Sequence, residues 1–375
     1  METMKNSRAE KLADLVLDYS IGLKKKDKLL IQFEPSYTFY AKLMADLAES
    51  KGADIRFDNK SLDTNYQRSL IDRKNPDEWK SELERRIEIS KWCNTRVLIE
   101  TTEAVTNAEF DKEVIGPYKG VLYRPGRQHG YAVRWNIVGF PSRQKAKEAG
   151  MSFSEYEDFV YQVTLGNNWQ EMSSKMTRIK EAFDRAKEVH VFVPKLTDLH
   201  FSLDRRIGEI DDGRFNMPDG EICYGPIEHS THGEIYFQHP VLKGKKVVEG
   251  VKLMMENGRV IKSSAKNNER ELKEYIDIAD GTGRFGEFGI GCNYAITRPT
   301  LNVLFDEKIG GTVHFALGSS CSTDPLQGGG LVPKGLPHWD IVCDLRKDNK
   351  KLTEFPGGEI YVDGRLVQKN GRWKI

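Results

Sequence analysis

Residues 8–33 read RAEKLADLVLDYSIGLKKKDKLLIQF, and this stretch decides the fold class. Leu12, Leu15, Val16 and Tyr19 recur at the spacing of one helix face. The charged run KKKDK then gives way to Leu29, Leu30, Ile31 and Phe33, a short apolar block of the length of a buried strand. The alternation continues outward. Residues 37–51 carry a helical pattern, and 54–57 read as the next strand. Pro76 suits the first turn of a helix running to about Trp92, and RVLIE at 96–100 is another strand. Residues 131–140 (YAVRWNIVGF) form a further strand, and 142–187 are mainly helical, with Gly/Asn punctuation near 166–168. Helices alternating with strands predict a mostly parallel sheet flanked by helices.

After residue 187 the pattern changes. Strands are expected at 189–194 and 199–204, and one helix at 268–279. Asn257-Gly258 and Asp363-Gly364 each join two strand patterns, and these pairs favour tight hairpins because they tolerate positive φ. The chain therefore divides into an N-terminal α/β domain, 1–187, and a β-rich α+β C-terminal domain, 188–375. A length of 375 residues suits two domains. Lys+Arg totals 57 and Asp+Glu 56, which excludes a strongly basic nucleic-acid binder. No apolar run is long enough to span a membrane, and the first residues lack the apolar core of a signal peptide. Five scattered cysteines without a CxxC pair indicate neither a disulfide framework nor a zinc finger. A cytoplasmic, reduced protein is expected.

The residues with chemical potential lie in the second half. In His338-Trp339-Asp340, strand alternation points His338 and Asp340 the same way, suited either to gripping a metal or to an exposed edge. Trp339, Ile341 and Cys343 then face the core. His314 sits in the apolar strand TVHFALG, so it must be hydrogen-bonded, neutral or ligating. Glu307 precedes a Gly-Gly turn, as a ligand, an orienting group or a plain turn acid. Glu221 opens a strand after NMPDG, and Glu287 sits among glycines in GEFGIG. Each is either an exposed loop acid or a buried one that needs a partner. Together, Glu221, Glu287, Glu307, His314, His338 and Asp340 mix oxygen donors with imidazole, as zinc, manganese or cobalt prefer. Four acids balance two dications, and two such ions activate water without a serine or cysteine nucleophile. The GxGxxG match at 281–286 lacks a preceding strand and a following helix, so it is no dinucleotide site. His229 and His232 (HSTH) read as exposed loop histidines.

The ordered set NMPDGE, GEFGIG, LFDEKIGGTVHFALG and HWDIVCDLR resembles the thermophilic metalloaminopeptidases, the aminopeptidase T, AmpS and PepS group. LADLVLDYSIGLKKKDKLLIQ, KGADIRF and WNIVGFPSRQKAKEAG are similar to family segments too, so the likeness spans nearly the whole chain. The resemblance implies a homodimer acting on peptides, with two divalent ions per chain (zinc, cobalt, manganese or magnesium). It implies the six residues above as ligands, with Glu287 as ligand or proton shuttle. Where the family carries a tyrosine thought to steady the oxyanion, this chain has Cys321, a weaker donor. A related metalloenzyme on the same scaffold with a non-peptide substrate, an amidohydrolase or a ring-cleaving dihydroxypyridine dioxygenase with one iron, is the competing reading, and a non-catalytic family member the third.

Overall fold

The computed structural model describes residues 2–60, 63, 66, 69, 75–100, 133–320, 322, 324, 326, 328–330 and 336–375. They form two compact units. One comprises Met1–Lys147, Met151–Leu165 and Gly213–Pro218, the other Glu148–Gly150, Gly166–Asp212 and Asp219–Ile375.

The first unit is built on a parallel sheet in the order β2-β1-β3-β4-β8. Its strands are β1 (Lys28–Gln32), β2 (Asp54–Asp58), β3 (Thr95–Ile99), β4 (Arg134–Val138) and β8 (Asn216–Met217). Leu29, Leu30 and Ile31 are consecutive and all buried, as a strand covered on both faces requires. Helices Glu2–Leu15 and Thr38–Ser50 supply Leu12, Ala13, Met44 and Ala48 to the same core. Asn75 caps helix Pro76–Trp92 by accepting from the Asp77 amide at 3.0 Å.

The second unit is antiparallel. Its larger sheet runs β14-β13-β10-β6-β5-β18-β19-β20. The strands are β5 (Glu188–Val193), β6 (Thr197–Ser202), β10 (His232–Tyr236), β13 (Lys252–Glu256), β14 (Arg259–Ser264), β18 (Glu359–Val362), β19 (Arg365–Lys369) and β20 (Arg372–Trp373). Its second sheet runs β17-β16-β15-β9-β7. It comprises β7 (Glu209–Asp211), β9 (Glu221–Tyr224), β15 (Phe285–Gly291), β16 (Thr312–Gly318) and β17 (His338–Asp344). A small hairpin joins β11 (Val241–Lys243) to β12 (Lys246–Val248). Both expected hairpin turns form. Asn257 and Gly258 take φ of 50° and 72°, Asp363 and Gly364 47° and 76°. Positive φ at two successive positions is the demand that selects these residue pairs.

The two large sheets share one apolar core. Phe201 from the larger sheet meets Phe288 and Phe315 of the second at ring separations of 4.8 and 5.5 Å. Phe183, from helix Trp169–Phe183, closes on Phe288 at 6.0 Å. Fully burying each such ring is worth roughly 1.5–3 kcal/mol. Asn168 begins that helix by accepting from the Glu171 amide at 3.1 Å, which accounts for the punctuation near 166–168. Among the described residues, Cys93, Cys223, Cys292 and Cys343 are buried free thiols, and no helix is long and apolar enough to cross a membrane.

Asp344 ends β17 in a buried network. It lies 2.9 Å from His239 Nε2 and 2.7 Å from Arg346 Nη2. Burial opposes its charge, but His239 and Arg346 outweigh that and hold the carboxyl down at about 2. A carboxyl lowered on folding adds stability above its unfolded pKa, near 4, and loses it as pH falls toward 2. Asp344→Asn is therefore expected to cost about 2 kcal/mol at neutral pH. It should also flatten the pH dependence of denaturant unfolding between about pH 5 and 2. An unchanged slope there would place the acid-sensitive group elsewhere.

Candidate metal centre

The second sheet turns one face to the core and the other to a polar cluster. Trp339, Ile341 and Cys343 of β17 pack into the core, so His338 and Asp340 project from the opposite face, as their spacing predicts. Register fixes the rest. His314 on β16 lies opposite Gly289, Glu287 and Asp340 both lie opposite Ala316, His338 pairs with Gly318, and Glu221 on β9 pairs with Gly291. Four adjacent strands thus deliver five polar side chains to one face. Glu307 arrives from the end of the short helix Val303–Asp306, which Asn302 caps by accepting from the Leu304 amide at 3.1 Å.

Both histidines are braced in the same way. His314 Nδ1 donates to the Glu307 carbonyl at 3.2 Å, and His338 Nδ1 to the Ser319 carbonyl at 2.6 Å. A carbonyl can only accept, so each Nε2 is left turned to the carboxylates. His314 Nε2 lies 3.3 Å from Glu221 Oε1, 3.2 Å from Glu287 Oε1 and 3.9 Å from Asp340 Oδ1. His338 Nε2 lies 3.0 Å from Asp340 Oδ1 and 3.6 Å from Glu287 Oε2. Gly289 has a specific job here. A Cβ on it would come within 2.0 Å of His314 Cε1, so only glycine lets the ring lie across β15. Gly289 therefore makes room for the His314 side chain, while Gly286 and Gly291 lie against the backbone of Gly318–Ser319 and Lys308–Ile309.

The cluster is deep and over-supplied with acid. Glu221, Glu287 and His314 are buried, whereas His338 (32 % exposed) and Glu307 (15 %) form its open side. Burial raises Glu287, and it pushes Glu307 up to about 8 despite the adjacent Lys308 ammonium. Burial also raises Asp211 well above the usual range, with Asp219 and Glu221 adding to the shift. Burial disfavours charge on Glu221, yet Lys308 and His314 hold it well below the usual range. Both imidazoles are raised, against burial. Glu221 is the main influence on His314, and Asp340 brings His338 to about 10.

Sequence reasoning missed Lys308, which contacts Glu221, lies 2.5 Å from Glu307 Oε1 and lies 3.7 Å from Asp219 Oδ1. A lysine beside a glutamate reads as a surface pair, and nothing local announces its burial. Cys223 was missed too, and its thiol lies within 4.8 Å of the Glu221 and Glu287 oxygens. All six residues expected to ligate converge. Glu221, Glu307 and His314 form one group with mutually close donors, and Glu287, His314 and Asp340 another. Cys321 lies outside the described residues. The GxGxxG segment is a turn, Asp280–Gly283, between a helix and β15, as expected of a chance match.

The donor set fits divalent cations. More buried carboxylates meet here than Lys308 and the imidazoles neutralise, and each Nε2 faces inward from a fixed ring. The family model for thermophilic metalloprotease (M29) matches residues 5–373. The chain belongs to that family. Among curated relatives of this M29 protein, aminopeptidase AmpS of Bacillus subtilis is 25% identical over 275 residues, covering 64% of this chain and 66% of that one. Aminopeptidase 2 of Geobacillus stearothermophilus is 25% identical over 268 residues, covering 64% and 62%. The matched stretches thus span just under two thirds of these relatives. In fold, the M29 chain is similar to AmpT of Thermus thermophilus, with a TM-score of 0.76, 19% identity, and 98% and 99% of the two chains covered. It is less similar to 2,5-dihydroxypyridine dioxygenase of Pseudomonas putida, with a TM-score of 0.56, 13% identity, and 98% and 97% covered.

Proposed function

We propose that the chain is a dinuclear metal-dependent aminopeptidase whose chemistry lies in the C-terminal domain, 188–375. The convergence of six side chains from four strands and one loop carries this reading. Glu221, Glu287, Glu307, His314, His338 and Asp340 would hold two divalent ions, zinc, cobalt, manganese or magnesium. When bound, such a pair supplies Lewis acidity toward a peptide carbonyl and lowers the pKa of water. The chain's own residues do the rest. Glu287, between the two imidazoles, is placed to take a proton from the attacking water and return it to the leaving amine. The open side at His338 and Glu307 admits the peptide, and the carboxylates there suit its free α-ammonium. Cys321, which stands in the sequence where the resemblance implies a tyrosine, is proposed to retune the activity. A homodimer acting on cytoplasmic peptides completes the proposal.

A single-iron ring-cleaving oxygenase would need only two histidines and one carboxylate. The surplus of Glu221, Glu287 and Glu307 supports the pair of ions instead. Elemental analysis of the metal-reconstituted protein should count two ions per chain more than that of a His314→Ala/Asp340→Ala variant. Aminoacyl p-nitroanilides should be hydrolysed, and chelation should abolish that hydrolysis until metal is restored. One iron per chain with no amidase activity would reject this reading.

A further inference from the structure

The face of the larger sheet turned away from the core carries a row of imidazoles. On β5, Val189, Val191 and Val193 are buried, so His190 faces outward, and on β6 the alternation turns Asp198 and His200 outward. His190 lies directly opposite His200, and His200 directly opposite His232 of β10. The rings stack, His190 on His200 at 3.9 Å and 9°, His200 on His232 at 5.2 Å and 11°. Asp198 Oδ1 sits between the first two, 2.8 Å from His190 Nε2 and 3.4 Å from His200 Nε2. The three donor atoms lie within 4.8 Å of one another. Tetrahedral zinc with bonds of ~2.0–2.1 Å holds its ligand atoms roughly 3.3 Å apart.

A second feature separates this row from ordinary surface histidines. His200 Nδ1 lies 2.9 Å from Glu188 Oε1, which leaves Nε2 toward Asp198 and His190. A carboxylate behind the imidazole fixes the tautomer that ligates and raises its basicity. His232 Nδ1 likewise donates to the Ser230 carbonyl at 3.0 Å, so its Nε2 is the acceptor of the neutral ring. The stacked rings of His190 and His200 must turn about their Cβ–Cγ bonds for both lone pairs to meet one ion. That torsion is broad for imidazole, and both rings are partly exposed.

We infer that this row is a second metal site, taking one zinc-class divalent ion on His190, His200 and Asp198 and oriented by Glu188. The imidazole pair selects zinc, nickel or copper over magnesium or calcium. The ion would tie β5 to β6 on the side of the apolar core opposite the buried centre. The site is independent of the peptidase reading.

The test uses the full chain, stripped with a chelator and titrated with Zn²⁺ against a chromophoric competitor. His190→Gln/His200→Gln should bind one Zn²⁺ fewer per chain, or bind that ion ~100-fold or more weakly. Glu188→Gln, an exposed change that spares the ligands, should keep the ion but weaken it about 10- to 100-fold. A large excess of Mg²⁺ should leave that ion in place. Equal stoichiometry and affinity in wild type and double variant would overturn the site. Displacement by Mg²⁺ would overturn its assignment to a zinc-class ion.

Discussion

Glu287→Gln is expected to lower kcat/KM for an aminoacyl p-nitroanilide by about 10³-fold at saturating metal, within the span usual for a lost general acid–base. That is about 4 kcal/mol of transition-state stabilisation. Glutamine keeps the shape of the side chain and can still accept from His314, so the fold should survive. It cannot carry a proton between water and the leaving amine. It also removes one negative charge between two imidazoles that lie 3.2 and 3.6 Å away, so metal affinity should weaken as well. Elemental analysis alongside the kinetics separates the two effects. A fully loaded Glu287→Gln protein with a collapsed kcat supports the proton role. Activity that returns in full once metal is saturating reduces Glu287 to a ligand. Full activity of Glu287→Ala under all conditions would remove it from the site.

How much of this was legible beforehand follows from which interactions are local. The parallel sheet was readable because Leu29, Leu30 and Ile31 form an uninterrupted apolar block between helical patterns, and β1 is buried in that way. The side-by-side placement of His338 and Asp340 was readable because alternation along a strand needs no tertiary knowledge. That Glu221 and His338 belong to one cluster came from their donor chemistry and from the family resemblance, not from spacing. It depends on the order β17-β16-β15-β9, set by long-range pairing that no spacing encodes. For the same reason the row His190–His200–His232 stayed hidden. His190 and His200 carry no signal on their own strands, His232 reads as a loop histidine although it opens β10, and only cross-strand register stacks them. The role of Gly289 was hidden in the same way, because only the pairing of β15 with β16 lays the His314 ring across it.

Lys308→Met should have the largest effect on the metal-free protein. Lys308 is the one lysine placed among Glu221, Glu307 and Asp219 in the described structure, and it is 1 % exposed. Removing one partner of a buried ion pair leaves uncompensated charge, at roughly 3–5 kcal/mol. For a unit of this size that is about ten degrees of melting temperature. The acids will relieve part of the cost by taking up protons, and Glu221, which Lys308 holds well below the usual range, has the most to take up, since Glu307 is already pushed up to about 8. Divalent ions reverse the comparison. Lys308 occupies oxygens of Glu221 and Glu307, two of the proposed ligands, so it competes with any cation entering the cluster. Without it, metal should bind more tightly, and by linkage should stabilise Lys308→Met more than wild type. The difference in melting temperature should therefore narrow as Zn²⁺ is added to the stripped proteins. Equal stability of the two metal-free proteins would mean that the buried acids are neutral without Lys308. A difference that widens with Zn²⁺ would mean that Lys308 helps hold the ions, and that the cluster is not organised around cations competing for the same carboxylates.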